Sequence, residues 1–267
     1  MRTVAALILL AWAVPATAQP WQAGAGHVSV GAAFSTLRTM HLATPSGEDV
    51  EIPRFARQDL VVSGSYGATD RLTIIVGGTL FAHTSIEGFD SAGGVGDARF
   101  GAQFLLGQRG PWTMGVRAIV QAPTGDGEKA FGLLPTGTGA WEGDAVFSIG
   151  RPIGARTFSF VEAGYHARGL GLRDTFVFNS QVGVIAGPRV TLGWNVRGVQ
   201  PFDNGPIGLS VGSGAGLGDG VAFVAYGPSA AWRLNGGWTV LAGVDGGFHT
   251  RNLAAGAAYR VGVSYAK

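Results

Sequence analysis

Apolar and polar residues alternate along most of this chain with a period of two. That is the spacing of β-strands, whose successive side chains point to opposite faces. Asp97–Leu106 shows it most clearly: Ala98, Phe100, Ala102, Phe104 and Leu106 form one face, and Asp97, Arg99, Gly101 and Gln103 the other. The same pattern predicts ribbons at His27–Leu37, Asp59–Ala68, Leu72–Phe81, Trp112–Ala122, Glu142–Ile149, Thr157–Arg168, Phe178–Ala186, Val190–Arg197, Val221–Leu234, Trp238–His249 and Ala257–Tyr265. Thr157–Arg168 changes phase near Phe160 and Val161, which predicts a bulge there. Tight turns, such as Thr69–Arg71, Gly150–Gly154 and Asn235–Gly236, alternate with long polar gaps. The gaps fall at Arg38–Arg57, Glu87–Gly93, Leu170–Asp174, Pro201–Gly220 and the loop bracketed by the Pro-Thr-Gly turns at Pro123–Gly125 and Pro135–Gly137.

The apolar faces could point inward, as in a soluble sandwich, or outward into lipid, and the rest of the chain decides between them. Arg2, the unbroken apolar run Val4–Val14 and the Ala16-Thr17-Ala18 site read as a signal peptide over residues 1–18. Gln19 is then the mature start, and residues 19–267 form one domain. The apolar run is too short to span a bilayer, which takes about 20 residues, so any spanning must use strands. Charged residues are 13% of the chain, against about 25% in ordinary globular domains, too few for a soluble surface. Long loops alternating with tight turns, around ribbons of alternating polarity, are the signature of an outer-membrane barrel. The expected fold is therefore all-β, a transmembrane antiparallel up-and-down β-barrel of about 12 strands, within roughly 10 to 14, in the outer membrane of a Gram-negative bacterium after Sec-type export. Tyr66, Trp112, Trp141, Trp232, Trp238 and Tyr265 fall near predicted strand ends, where interfacial girdles need aromatics.

Several function classes drop out. With no cysteine there is no thiol chemistry or disulfide framework, and a net charge of +2 is too small for a nucleic-acid partner. Lys129 and Lys267 are the only lysines; the remaining cations are arginines, which suit networks with carboxylates. His41, His83, His166 and His249 sit near predicted strand ends, as rim residues, and none has metal-ligand spacing, so no metal or cofactor is expected. Glu162 and His166 share a face of one strand, but at ~3.4 Å per residue they stand about 14 Å apart, too far for direct acid-base contact. A lipid-modifying barrel enzyme and a structural or adhesive barrel stay open as alternatives.

Four segments carry a resemblance: Gly94–Leu106, Ala122–Gly127, Leu134–Gly154 and Val161–Gly169. They resemble the outer-membrane family named for the MetA pathway of phenol degradation. The most specific part runs from Pro135 through Trp141 to Asp144, supported by Gly96 and Asp97. The resemblance implies a barrel that passively passes small hydrophobic or aromatic molecules and is inserted into outer-membrane lipid by the barrel-assembly machinery. Arg260, Gly262 and Tyr265 fit the terminal pattern that this machinery reads, with Lys267 where the last aromatic is expected. Assembly is expected to lean on Tyr265.

Candidate site residues lie on the polar faces. Asp97, Arg99, Arg117, Glu142, Asp144, Glu162, Arg197, Asp245 and Arg260 are expected to line the lumen, where opposite charges should pair. Such pairs could hold the barrel in register or form a charged constriction that selects solutes. Phe131, Leu133 and Leu134 are apolar residues in a loop expected outside the cell. They could form a greasy entrance or plug with Phe202, Ile207 and Leu209 of the other long loop, or simply pack loop on loop.

Overall fold

The computed structural model describes residues 24–127, 134–203 and 215–267. The expected signal peptide and Phe131, Leu133, Ile207 and Leu209 lie outside the described residues. Fourteen strands follow in sequence: β1 (Val28–Ala43), β2 (Asp49–Gly67), β3 (Leu72–Ile86), β4 (Asp90–Gly94), β5 (Ala98–Arg109), β6 (Trp112–Ala122) and β7 (Glu142–Ile153). Then come β8 (Thr157–Arg168), β9 (Thr175–Ile185), β10 (Val190–Pro201), β11 (Ala222–Arg233), β12 (Trp238–Arg251), β13 (Leu253–Ala255) and β14 (Ala258–Ala266). Two of them are short extensions, β4 on β3 and β13 on β1. The other twelve pair antiparallel with their neighbours, and β1 closes the wall by pairing with β14 as well as with β2.

Alternation sets which way each side chain faces. Along β5 to β8, Phe100, Val116, Phe147 and Val161 are exposed on the outer surface, while Gln103, Arg117, Ser148 and Glu162 are buried inside. A soluble barrel has the opposite polarity. Closure pairs the wall's strands edge to edge, so the outer surface offers lipid an apolar face and no open ladder, as a bilayer requires. At the end where the tight turns lie, the Trp238 and Tyr265 rings pack 5.1 Å apart and the Arg151 guanidinium sits 5.0 Å over Trp112. Aromatics with a cation alongside are what a membrane interface favours.

The strands depart from the sequence pattern in two places. Most of the expected gap Arg38–Arg57 is strand, because β1 runs on to Ala43 and β2 starts at Asp49, with a turn over Thr44–Glu48 closed by a 2.8 Å bond from Thr44 N–H to Glu48 C=O. Likewise the expected gap Glu87–Gly93 contains most of β4. Beyond the bilayer the outer face need not be apolar, so alternation fades while the ladder continues. The bulge expected near Phe160 and Val161 is absent: β7 and β8 pair without a register shift from Glu142↔Arg168 to Ile153↔Thr157. The apparent phase change arises because Phe160, which faces inward, is apolar and buried. Phe158, two residues before it, lies over Gly183 on β9, where any Cβ would overlap its ring.

The long loops fold onto the opposite end. Leu134 of the β6–β7 loop and Ala215 of the β10–β11 loop join Leu37, Phe55, Ala254 and Ala258 in a buried apolar cluster. This core caps the barrel, and the interior below it combines polar and charged side chains with apolar ones such as Phe158, Phe160, Val61 and Val177.

Candidate functional site

A network of side chains at the loop end ties both long loops to the wall. Asp97, just before β5, accepts hydrogen bonds from the Gly125 N–H (2.9 Å), the Thr138 N–H (2.7 Å), the Thr138 hydroxyl (3.1 Å) and Gln121 Nε2 (3.1 Å). Gly137 packs so tightly on this carboxylate that a Cβ there would overlap it. The Pro135–Gly139 run is thereby held against Asp97. Gln121 also donates to Glu142 (2.8 Å) and accepts from Arg99 Nε (2.7 Å). Glu142 in turn accepts from Arg168 Nε (2.9 Å), whose other nitrogens donate to the Gly218 and Leu217 carbonyls of the β10–β11 loop, each at 2.8 Å.

His166 belongs to the same network. Its Nδ1 lies 2.6 Å from Asp144 and its Nε2 3.6 Å from Glu142, both across on β7. The expectation of a rim histidine is therefore corrected: pairing of Asp144 with His166 across the β7–β8 ladder brings the ring among carboxylates, with its side chain only 16% exposed. Outside the strands, Asp174 accepts a hydrogen bond from the Tyr165 hydroxyl and another from the Arg168 N–H (2.8 Å), and these hold its carboxyl below the usual carboxylate range.

Three more charge groups lie in the wall's interior. Arg117 and Glu162 pair at 3.4 Å, and Asn179 Nδ2 donates to the same carboxylate at 3.3 Å. Arg197 on β10 and Arg260 on β14 both donate to one oxygen of Asp245 on β12, at 2.7 and 2.8 Å. Arg57 forks onto Asp59 through Nε and Nη2 at 2.8 to 3.1 Å, and both side chains are almost wholly buried.

All nine residues expected on the polar faces are thus on the inner side of the wall, and the structure joins them into three separate groups. Sequence reasoning passed over Arg57 and Arg168. The alternation Phe55, Arg57, Asp59 continues the inward phase of β2, and Arg168 follows Glu162 and His166 at even spacing, so both carried a signal. Of the apolar loop residues, Leu134 is buried in the capping core. Phe202 does not join it: its ring is exposed and stacks on Tyr165 at 5.4 Å.

Between the cap and the tight turns lies a cavity of about 270 Å³. Phe158, Phe160, Val61 and Val177 line it along with Asn179, Gln181 and Asn195, and Arg117, Glu162, Arg197, Asp245 and Arg260 supply its charges. Among the described residues no group of three His, Cys, Asp or Glu side chains could hold a metal ion. Gly208–Gly212 spells the G-x-S-x-G pattern of hydrolases, but it lies outside the described residues.

No family model matches the sequence, and no curated protein matches it. Solved structures do share its fold. An outer membrane channel from Pseudomonas putida F1 is similar over 92% of this chain and 96% of its own, with TM-score 0.66 and 14% identity. The KdgM porin in complex with disordered oligogalacturonate matches over 89% of this chain and 98% of its own, with TM-score 0.51 and 7% identity. The translocator domain of the autotransporter NalP from Neisseria meningitidis covers 90% of this chain and 88% of its own, with TM-score 0.52 and 12% identity.

Proposed function

We propose that this chain is an outer-membrane channel for the passive passage of small hydrophobic or aromatic molecules. The observation that carries the reading is a closed barrel, apolar outside and charged within, enclosing a cavity whose wall is partly aromatic. Such a cavity gives a small solute both apolar surface and a few fixed polar partners, the usual composition of a ligand site. Two of the barrels of like fold are a channel and a porin, and the resemblance of the Pro135–Asp144 segment to the phenol-pathway family points the same way. Export under the residue 1–18 signal peptide and insertion by the barrel-assembly machinery complete the proposal. His166 lies against the carboxylates of Asp144 and Glu142 and not against a serine hydroxyl, so the geometry around it does not supply the serine-histidine pair of a lipid-cleaving barrel.

The test is single-channel recording of the refolded protein in planar bilayers, together with uptake of benzyl alcohol and of a disaccharide into proteoliposomes. Discrete openings that benzyl alcohol blocks, with uptake of the alcohol and not of the sugar, are expected. A silent bilayer and no uptake of either solute, with insertion demonstrated, would falsify the channel reading.

A further inference from the structure

Arg38 stands on the outer face of the wall. It continues the outward phase of Val28, Val30 and Phe34 along β1 and is exposed between the buried Leu37 and Thr39. At ~3.3 Å per residue and a strand tilt of ~40°, the stretch Val28–Arg38 rises about 25 Å, the height of the apolar band of such barrels. Arg38 is therefore at the upper edge of that band, on the side of the long loops, where the head groups of the outer leaflet begin. Among the described residues no side chain hydrogen-bonds or ion-pairs with its guanidinium.

The ladder surrounds it with hydrogen-bonding groups. Arg38 pairs with Ala56 of β2, whose short side chain leaves a shallow floor, and Ser85 of β3 faces Arg38 across it. Gln58 and Arg54 are the outward neighbours of Ala56 along β2, and His83 pairs with Gln58. Diagonal neighbours of this kind are ~7–8 Å apart, within reach of a long side chain. Arg54 meets Glu87 at 3.7 Å with both side chains more than half exposed, a pair that water weakens. One step lower the row Phe34, Leu60 and Phe81 is apolar, and the Phe81 and His83 rings stack at 6.4 Å. On the far side of the barrel the same rim is built differently, with Trp141, Tyr165 and Phe176 exposed near the loop ends of β7 to β9. Those are the aromatics that any membrane interface favours. The rim of β1 to β3 puts a cation and neutral polar groups in their place.

We propose that the outer rim of β1 to β3 binds a phosphorylated glycolipid of the outer leaflet. Its phosphate lies on Arg38 and Arg54 over Ala56, its sugar hydroxyls meet Gln58, His83 and Ser85, and its acyl chains run down over Phe34, Leu60 and Phe81. The inference rests on the outer-membrane placement of the barrel and not on the passage of any solute. A guanidinium turned toward lipid is costly unless it reaches an anion, and phosphate oxygens match its fork of N–H groups. A soluble phosphate would gain the arginines and nothing from the phenylalanines. A phospholipid with a small head group would leave the amide, imidazole and hydroxyl without sugar partners.

Native mass spectrometry of the detergent-solubilised protein with bisphosphorylated lipid A, its phosphate-free counterpart and phosphatidylglycerol tests the site. Lipid A is expected to bind at least roughly tenfold more tightly than either of the others, and inorganic phosphate at the same concentration is expected not to displace it. Arg38→Gln breaks no ion pair among the described residues, so the barrel should stay folded, as its heat-modifiable gel migration would report. It is expected to lower lipid A affinity roughly tenfold. Arg189→Gln, at an exposed arginine of the tight-turn end, should leave that affinity unchanged. Either comparison lipid bound as tightly as lipid A, displacement by inorganic phosphate, or an equal loss in the two variants overturns the site. Uptake of benzyl alcohol into phosphatidylcholine proteoliposomes keeps this inference apart from the channel reading. Passage there without a preference for lipid A upholds the channel and overturns the site, and a preference for lipid A without passage does the reverse.

Discussion

Two clusters of arginine and carboxylate share this lumen and differ in number and in exposure. The Arg117–Glu162 cluster is matched, sits deep in the wall with each side chain 4% exposed, and has Asn179 to occupy the carboxylate further. The Asp245 cluster has two cations to one anion, shorter contacts, and a partly exposed Arg260. Buried charges are tolerated when matched and costly when one partner is lost. The first cluster therefore has the character of a brace across β6 to β9. The second keeps a cation in reach of the cavity at little structural risk.

The comparison breaks most sharply at Glu162. Glu162→Gln removes the carboxylate that pairs with Arg117 in the wall and should lower the unfolding free energy by about 3–5 kcal/mol, read from urea titration in detergent micelles. A loss below about 1 kcal/mol would mean that water reaches Arg117 and that the two clusters are alike. Next in size is Arg260→Gln in the same assay. A one-to-one pair remains and the lost cation is partly solvated, so the change should stay within about 1 kcal/mol. Equal destabilisation by the two variants would erase the distinction between a buried brace and a partly exposed pair.

The smallest effect sharpens the baseline, because Asp174 lies outside both clusters and close to water. Its carboxyl is held low first by the Tyr165 hydroxyl and then by the Arg168 N–H. A depressed carboxylate contributes stability above its unfolded value and loses it as pH falls through the folded one. Tyr165→Phe should therefore shift the Asp174 titration upward, toward an ordinary aspartate, as followed by carboxyl NMR. No upward movement would show that the phenol hydrogen bond is not formed in solution.

The barrel itself was legible because a bilayer allows no compromise on its outer face: Ala98, Phe100, Ala102, Phe104 and Leu106 had to alternate with Asp97, Arg99 and Gln103, and a slip of one residue would have put charge in lipid. Legibility fell wherever that constraint was lifted. The upper ends of β1 and β2 stand beyond the apolar band, so their polar outer faces read as a gap. The interior obeys no single rule either, which is why the inward-facing Phe160 beside Val161 looked like a fault in the pattern. The polar faces offered candidates for the interior and did not say which partners they would choose. Asp144 finds His166 through ladder register, and Arg197 reaches Asp245 across β11, relations between strands that no single strand's sequence states.

The seam between the first and last strands has a consequence for how the chain comes to its shape. Val28 and Lys267 exchange both of their backbone hydrogen bonds, at 2.9 and 3.0 Å, so residues at opposite ends of the described chain are knotted to one another in the finished wall. Until that clasp is made, the hairpins already formed present two raw sheet borders, and each is a template for any other strand nearby. Loop-closure entropy over such a separation makes the final join the slowest contact to find by chance. A growing barrel of this kind is thus an adhesive ribbon up to its last step and an inert cylinder after it.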